Sequence, residues 1–392
     1  MSSIEEISGD MTASGGGIYI HVPFCRRKCI YCDFFSAGDR IADWEKYIEA
    51  VRNELSNRID EMACPTRTIY LGGGTPSLMP EPYFNQLADI LRPYSEDTEE
   101  FTIEVNPDDV TETMLKAWKR GGGNRLSIGI QSFDDQLLSV IGRRHDGATA
   151  ERAYRLARKY FDNISIDLMF GLPGQNLDIW RDDIRRAISL RPEHVSAYSL
   201  MYEEGTALTT LRDTGRINET DENISEKMFM MLIDEMRAAG YEHYEISNFS
   251  LPGYRSLHNS SYWRQAPYIG IGPSAHSYDG KRTRKANRRD LRGYLEYWTK
   301  NHHDASKDNV CDTEYLTDEE LKDEYIMTRM RTLEGIPFDD FSARFGKEAC
   351  DYLKRKCQSD SIRPHIESND SNISLKESAI LMSDSIILDL SL

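Results

Sequence analysis

The chain has 392 residues, 39% hydrophobic and 29% charged, enough to bury a large core and, at roughly 150 residues per domain, to form two or three domains. Lys and Arg number 48 against 65 Asp and Glu, a net charge of −17, so the chain has no general electrostatic grip on phosphate backbones and nucleic acid is not an expected partner. No apolar run approaches the ~18 residues of a membrane span, so an integral membrane protein is not expected.

Residues 1–16 are polar, Ser- and Gly-rich and without periodicity, and are expected to be disordered. They show neither a secretory signal nor the arginines of a mitochondrial presequence, so a cytoplasmic protein is expected. Short apolar runs then alternate with amphipathic stretches. Strands are expected at 17–23, 68–73, 100–106, 125–131, 163–170 and 194–200, and helices at 42–62, 82–91, 112–120, 147–160 and 177–190. This alternation predicts an α/β fold, a full or partial (β/α)6 barrel, with the polar strand ends facing one mouth. A long helix over 222–240 precedes strands at 241–249 and 267–278 around an aromatic-rich loop. From about Asp304 the composition turns polar. Helices are expected at 316–333, capped by Thr317, and at 338–345 and 347–356, followed by a hairpin over 373–387 and an apolar tail. The expected domains are the barrel with its extension, 17–300, and a small, mainly helical, winged-helix-like unit, 301–392.

Seven cysteines are present, and Cys25, Cys29 and Cys32 fall within eight residues of one another. A disulfide framework does not suit a chain of this length and expected compartment. Three thiolates without a fourth suit a four-iron cluster with one open iron, while a structural zinc knuckle needs a fourth ligand. Cys64, Cys311, Cys350 and Cys357 are too dispersed to form a second site. Gly72-Gly73-Gly74-Thr75 reads either as backbone that a ligand approaches closely or as a tight strand-to-helix turn before Pro76. Glu104, Gln131 and Asp167 can accept hydrogen bonds from hydroxyl or ammonium groups, and Arg143 can clamp a carboxylate. Each also admits a structural role.

The stretch Cys25-Arg26-Arg27-Lys28-Cys29-Ile30-Tyr31-Cys32 resembles the signature of radical S-adenosylmethionine (SAM) enzymes. Tyr19–Cys25, Gly72–Pro76, Glu104–Pro107, 128–133 and 166–173 are similar to the oxygen-independent coproporphyrinogen III dehydrogenase family, over about residues 18–390. The resemblance implies a [4Fe-4S] cluster on Cys25, Cys29 and Cys32, and SAM contacts from Tyr19, Gly73, Gly74, Thr75, Glu104, Gln131, Arg143 and Asp167. Two features set the chain apart. Phe34 stands where the dehydrogenase has a further cysteine, and His258-Asn259-Ser260-Ser261-Tyr262-Trp263 matches the H-N-x-x-Y-W motif of the HemW branch, haem-binding chaperones without dehydrogenase activity. That branch implies a carrier that binds haem and passes it to acceptor proteins, membrane-associated ones included. The alternative is an enzyme converting two propionates of coproporphyrinogen III to vinyl groups.

His258, with Tyr262 and Trp263, is the expected haem contact and His258 the axial ligand, because histidine is the commonest haem ligand and flat aromatic rings suit a porphyrin. Arg255, Arg264 or the basic strip 281–285 could meet its propionates. The plainer alternative is that His258 and Trp263 pack a loop onto the barrel. His21 is read as structural or as lining the SAM site, His276 as a packing residue, and His302 and His303 as solvated.

Overall fold

The computed structural model describes residues 15–38, 43–300 and 310–391. The main sheet comprises β1 (Gly16–Val22), β2 (Thr66–Gly73), β3 (Glu100–Val105), β4 (Arg125–Gln131), β5 (Ile164–Phe170), β6 (His194–Ser199), β7 (Glu242–Glu245), β8 (Asn248–Ser250), β9 (Tyr268–Ile271), β10 (His276–Tyr278), β11 (Thr283–Asn287) and β12 (Cys311–Tyr315). These 12 strands run in the order β12-β11-β10-β9-β1-β2-β3-β4-β5-β6-β8-β7. β9 and β1 to β6 are mutually parallel. β8 and β7 extend one edge and β10 to β12 the other, all antiparallel. This is the expected partial barrel of six β/α units, widened at both edges.

Strand alternation decides what faces where. β1 sends Ile18, Ile20 and Val22, all fully buried, into the core shared with the surrounding helices. The intervening Tyr19 and His21 then point to the opposite, inner face. The register continues this inner layer across neighbouring strands. Tyr19, Tyr70, Thr102 and Arg125 form one row, and Glu104, Ser127, Ser165 and His194 form the next. The barrel lumen is therefore polar, and its groups pair with one another. Ser127 Oγ donates to Asp167 Oδ1 at 3.0 Å, and Ser165 Oγ lies 2.8 Å from His194 Nδ1. Outside the strands, Trp118 and Trp180 are fully buried between helices and sheet.

A second core, from Tyr325 to Leu390, belongs to the C-terminal unit. Its order is helix Asp318–Met330, strand Ile336–Pro337, helices Phe338–Phe345 and Lys347–Lys356, and a hairpin of Ile366–Ser368 with Asn372–Leu375. β12 still belongs to the main sheet, although it lies beyond the boundary expected at residue 300. The hairpin expected over 373–387 lies further upstream, and Ser383–Leu390 is a helix. Ile386, Ile387 and Leu390 recur at helical spacing and are buried on one face. The disorder expected over 1–16 falls almost wholly outside the described residues, although Gly16 already pairs with Thr66 in the sheet. His302 and His303 also lie outside them.

Candidate functional site

The loop after β1 carries the three clustered cysteines, each half-exposed and none in a disulfide. It is anchored at both ends, because Phe24–Cys25 pairs in parallel with Ala37–Gly38. Between these ends the Cys32 N–H donates to Cys29 O at 3.2 Å. Ile30 and Tyr31 pack on a small apolar cluster of Leu137, Ile141, Met169, Leu172, Leu200 and Leu208 at the barrel mouth. The Ile30 backbone is tied on both sides, to Ile141 O at 3.3 Å and to Leu208 N at 2.8 Å. The apolar residues between the second and third cysteines thus plug the loop onto the strand ends.

Side chains from other elements reach the sulfurs. Thr75 Oγ1 donates to Cys25 Sγ at 3.3 Å, and Arg143 Nη1 lies 3.7 Å from Cys29 Sγ. Burial pushes the Cys32 thiol up to about 11. Donor groups around three soft sulfurs on one loop fit an iron–sulfur cluster, whose hydrogen bonds tune it. Among the described residues, no three His, Cys, Asp or Glu side chains converge as ligands of one ion would. Arg143 also donates to Gly129 O, and its buried Nε has no partner among the described residues. It faces the cysteine loop, and among the described residues no carboxylate is paired with it.

The remaining residues expected at SAM lie around the same strand ends. Gly73 has φ +106°, and a Cβ there would come within 2.7 Å of the His21 ring. Its N–H donates to Glu104 Oε2 at 3.2 Å, while Tyr70 donates to Glu104 Oε1 at 2.9 Å. Burial nevertheless raises Glu104 to about 7, against the lowering effect of those two bonds. Asp167 is raised by burial and held by Ser127 and Ser165. Gln131 adopts φ +71° at a register shift between β4 and β5, an unusual conformation for a non-glycine residue. Tyr19 lies 3.2 Å from His21 Nδ1 through its hydroxyl. A Cβ on Gly74 would sit 2.7 Å from Phe24 O and 2.9 Å from Val22 O, so backbone of this chain requires the glycine there.

His21 bridges β1 to the cysteine loop. Its Nε2 donates to Phe35 O at 2.9 Å, which leaves Nδ1 to accept from Tyr19, and burial lowers its pKa to about 4. Beside it opens a cavity of 460 Å³, within the usual range of ligand pockets. Aromatic walls come from Tyr19, Phe34, Tyr262, Trp263, Tyr268 and Tyr278, with Arg284, Arg289 and His276 among them and Met327 on the C-terminal unit's side.

His258 does not open into this cavity. It lies on a short helix, Leu257–Trp263, where a loop was expected. Ser256 caps the helix, and Glu100 accepts from the Leu257 and His258 N–H groups at 2.8 and 3.0 Å. The His258 side chain is 1% exposed, with Nδ1 2.8 Å from Thr68 Oγ1 and Nε2 2.8 Å from Tyr262 Oη. Its ring stacks on Tyr70 at 5.0 Å, and burial first, then Arg125, lowers its pKa to about 3. Both ring nitrogens are occupied, so the expected axial role is not available to it in this arrangement. Tyr262 and Trp263, by contrast, do line the cavity.

His276, expected to pack, is exposed and lines the cavity. The arginines proposed for propionates are largely committed elsewhere. Arg255 and Arg264 pair with Glu334 at 3.0 and 3.2 Å. Within the basic strip, Arg282 pairs with Asp318 at 2.6 Å, Arg284 with Glu324 at 2.6 Å and Lys285 with Glu61 at 2.7 Å. Arg289, which carried no signal in the sequence, is the cavity arginine with no carboxylate partner among the described residues.

Residues 19–187 match the Radical SAM superfamily, whose members carry a [4Fe-4S] cluster and SAM. The heme chaperone HemW of Bacillus subtilis (strain 168) is 38% identical over 336 residues, covering 84% of this chain and 86% of that protein. The heme chaperone HemW of Escherichia coli (strain K12) is 36% identical over 339 residues, again 84% and 86%. The coproporphyrinogen III oxidase (HemN) of Escherichia coli, described as a radical SAM enzyme, superposes with a TM-score of 0.81 at 19% identity. That match covers 96% of this chain and 90% of that one and shows a shared fold. Among the described residues no helix is long and apolar enough to cross a membrane. With relatives at this identity along most of its length, the chain belongs to the HemW family of radical SAM proteins.

Proposed function

We propose that this protein is a haem carrier of the cytoplasm that binds haem beside its radical SAM site and passes it to acceptor proteins. The observation that carries this reading is the 460 Å³ aromatic cavity, which shares Asp33, Phe34 and Phe35 with the cysteine loop in a chain 38% identical to a heme chaperone. Tyrosine and tryptophan faces suit a planar macrocycle, and an arginine without an acidic partner suits a propionate. Phe34, 60% exposed, stands as one of these apolar walls where the dehydrogenase carries its further cysteine.

Cys25, Cys29 and Cys32 hold the cluster in this reading. When bound, the cluster supplies an electron to SAM. Glu104 receives the SAM ammonium, and that positive charge draws its raised pKa back down, so the carboxylate ionises as the ligand arrives. Gly73 lets the ligand approach the backbone, Arg143 meets the SAM carboxylate, and Gln131 and Asp167 accept from hydroxyl groups. Tyr19 lines both the lumen and the cavity, and Thr75 steadies Cys25.

The test is anaerobic reconstitution followed by two assays. Titration with haem should produce a saturable Soret band. Incubation with SAM, a reductant and coproporphyrinogen III should yield no protoporphyrinogen IX. Formation of that product would replace the carrier by the decarboxylating enzyme, and absence of a saturable haem spectrum would remove the carrier.

A further inference from the structure

Resting on the haem reading above, we infer that the haem iron is taken by His276 on β10, with Arg289 binding a propionate, while His258 serves as an internal brace. The two histidines differ in what their nitrogens already do. His258 spends both on Thr68 and Tyr262, each at 2.8 Å, behind the cavity wall. To reach an iron it would have to give up the Tyr262 bond, move that ring aside and expose its buried face. The His276 ring is exposed and has no hydrogen-bond partner among the described residues.

Position on the strand explains the orientation of His276. β10 pairs antiparallel with β11, and alternation places His276 and Tyr278 on the cavity side. Ser277 points the other way and accepts from Arg58 Nη2 at 3.0 Å. The imidazole is also in the right form. Partial burial, with Arg284 and Arg289 nearby, lowers its pKa and favours the neutral ring, which offers a nitrogen lone pair. Coordination displaces a weakly held axial water from the iron and changes no oxidation state.

The charges around the cavity divide in the same way. Arg284 is neutralised by Glu324 at 2.6 Å. Among the described residues Arg289 donates only to the backbone carbonyl of Asp33 and meets no carboxylate. That carbonyl belongs to the segment leaving the cysteine loop, so a propionate on Arg289 would be held next to the radical SAM site. Gln265, also in the cavity lining, has φ +55° and a buried Nε2 without a partner among the described residues, a further donor awaiting an acceptor.

The experiment is a haem titration of the full, reconstituted chain, followed by absorbance and by electron paramagnetic resonance of the ferric complex. His276→Ala should shift the Soret band, remove the histidine-ligand signature and weaken binding roughly tenfold. His276→Met should retain binding with an altered ligand field. Arg289→Ala should weaken binding several-fold with an unchanged ligand signature. His258→Ala should keep the parental signature even where it lowers thermal stability. Cluster iron content reports folding in each variant. A parental spectrum and affinity in His276→Ala, with the histidine signature lost in His258→Ala, would overturn the inference and leave the haem reading standing. Failure of the parent chain itself to bind haem would remove the reading and the inference together.

Discussion

The cysteine loop and the aromatic cavity share a wall at Asp33–Phe35, yet they are assembled differently. The loop's chemistry sits within one stretch, Cys25 to Cys32, and its Ile30 and Tyr31 fasten it to the strand ends. The cavity gathers β1, the helix Leu257–Trp263, β9 to β11 and the helix Asp318–Met330, elements that meet only through the folded sheet. The three thiolates therefore depend on one stretch of chain, whereas the cavity depends on the whole sheet, and there the motif residue His258 is a buried brace while His276 on an ordinary strand is open.

Separation of the two regions is tested most strongly by removing a thiolate. Cys29→Ala should lose nearly all cluster iron and sulfide after anaerobic reconstitution, because neighbouring Asp33 is a hard ligand and Phe34 none. Cys64→Ala and Cys311→Ala should retain the cluster, and haem titration of the Cys29→Ala chain should still give a Soret band. Loss of haem binding along with the iron would show the two regions to be one site.

Gly74→Val should be the next largest effect. A β-branched side chain there meets the carbonyls of Val22 and Phe24 at the root of the cysteine loop. The expected cost is about 2–4 kcal/mol in thermal or urea unfolding, accompanied by lower iron content. SAM affinity measured on this variant would therefore report a distorted loop. A Gly74→Val protein with parental stability and iron content would show that the backbone contact is dispensable.

Glu104 gives a pH signature confined to the loop side. Burial pushes its carboxyl up to about 7 from the ordinary 4.5, so between these values the folded state holds a proton that the unfolded chain has released. The stabilisation from this group is complete below about pH 4.5 and is lost as pH rises through about 7. Glu104→Gln removes that loss, so without SAM the variant should exceed the parent by about 1–3 kcal/mol at pH 8 and match it near pH 4. Its SAM affinity should fall, and its haem affinity should not change. Equal stability of the two proteins at pH 8 would show that ionising Glu104 costs the fold nothing.

Tyr262→Phe is the mildest change and acts on the cavity side. It removes the hydroxyl on His258 Nε2 and should cost about 1 kcal/mol. With His276 as the iron ligand, the haem spectrum stays parental. A new histidine signature would show that Tyr262 had been holding His258 back.

The β/α alternation of the first 200 residues, the mouth at the strand ends and the cysteine loop were all legible in the residues. Strands buried on one face and helices with an apolar stripe carry periodic patterns, and thiolate spacing is a local property. The edge strands β11 and β12 were not legible, because Thr283–Asn287 and Cys311–Tyr315 are polar, partly exposed and without alternation. Neither was the helix Leu257–Trp263, which is short and depends on Ser256 and on Glu100 from a distant strand for its capping. The positions of Gly73, Glu104 and Asp167 at one mouth follow from strand order. Whether a histidine nitrogen is occupied, and whether an arginine meets an acid, follow from partners far away in the chain. Thr68 closes off His258, Glu324 neutralises Arg284, and His276 and Arg289 are left facing the cavity. Residue type sets what a side chain can bind, but only packing in three dimensions determines which of its polar atoms are still unpaired.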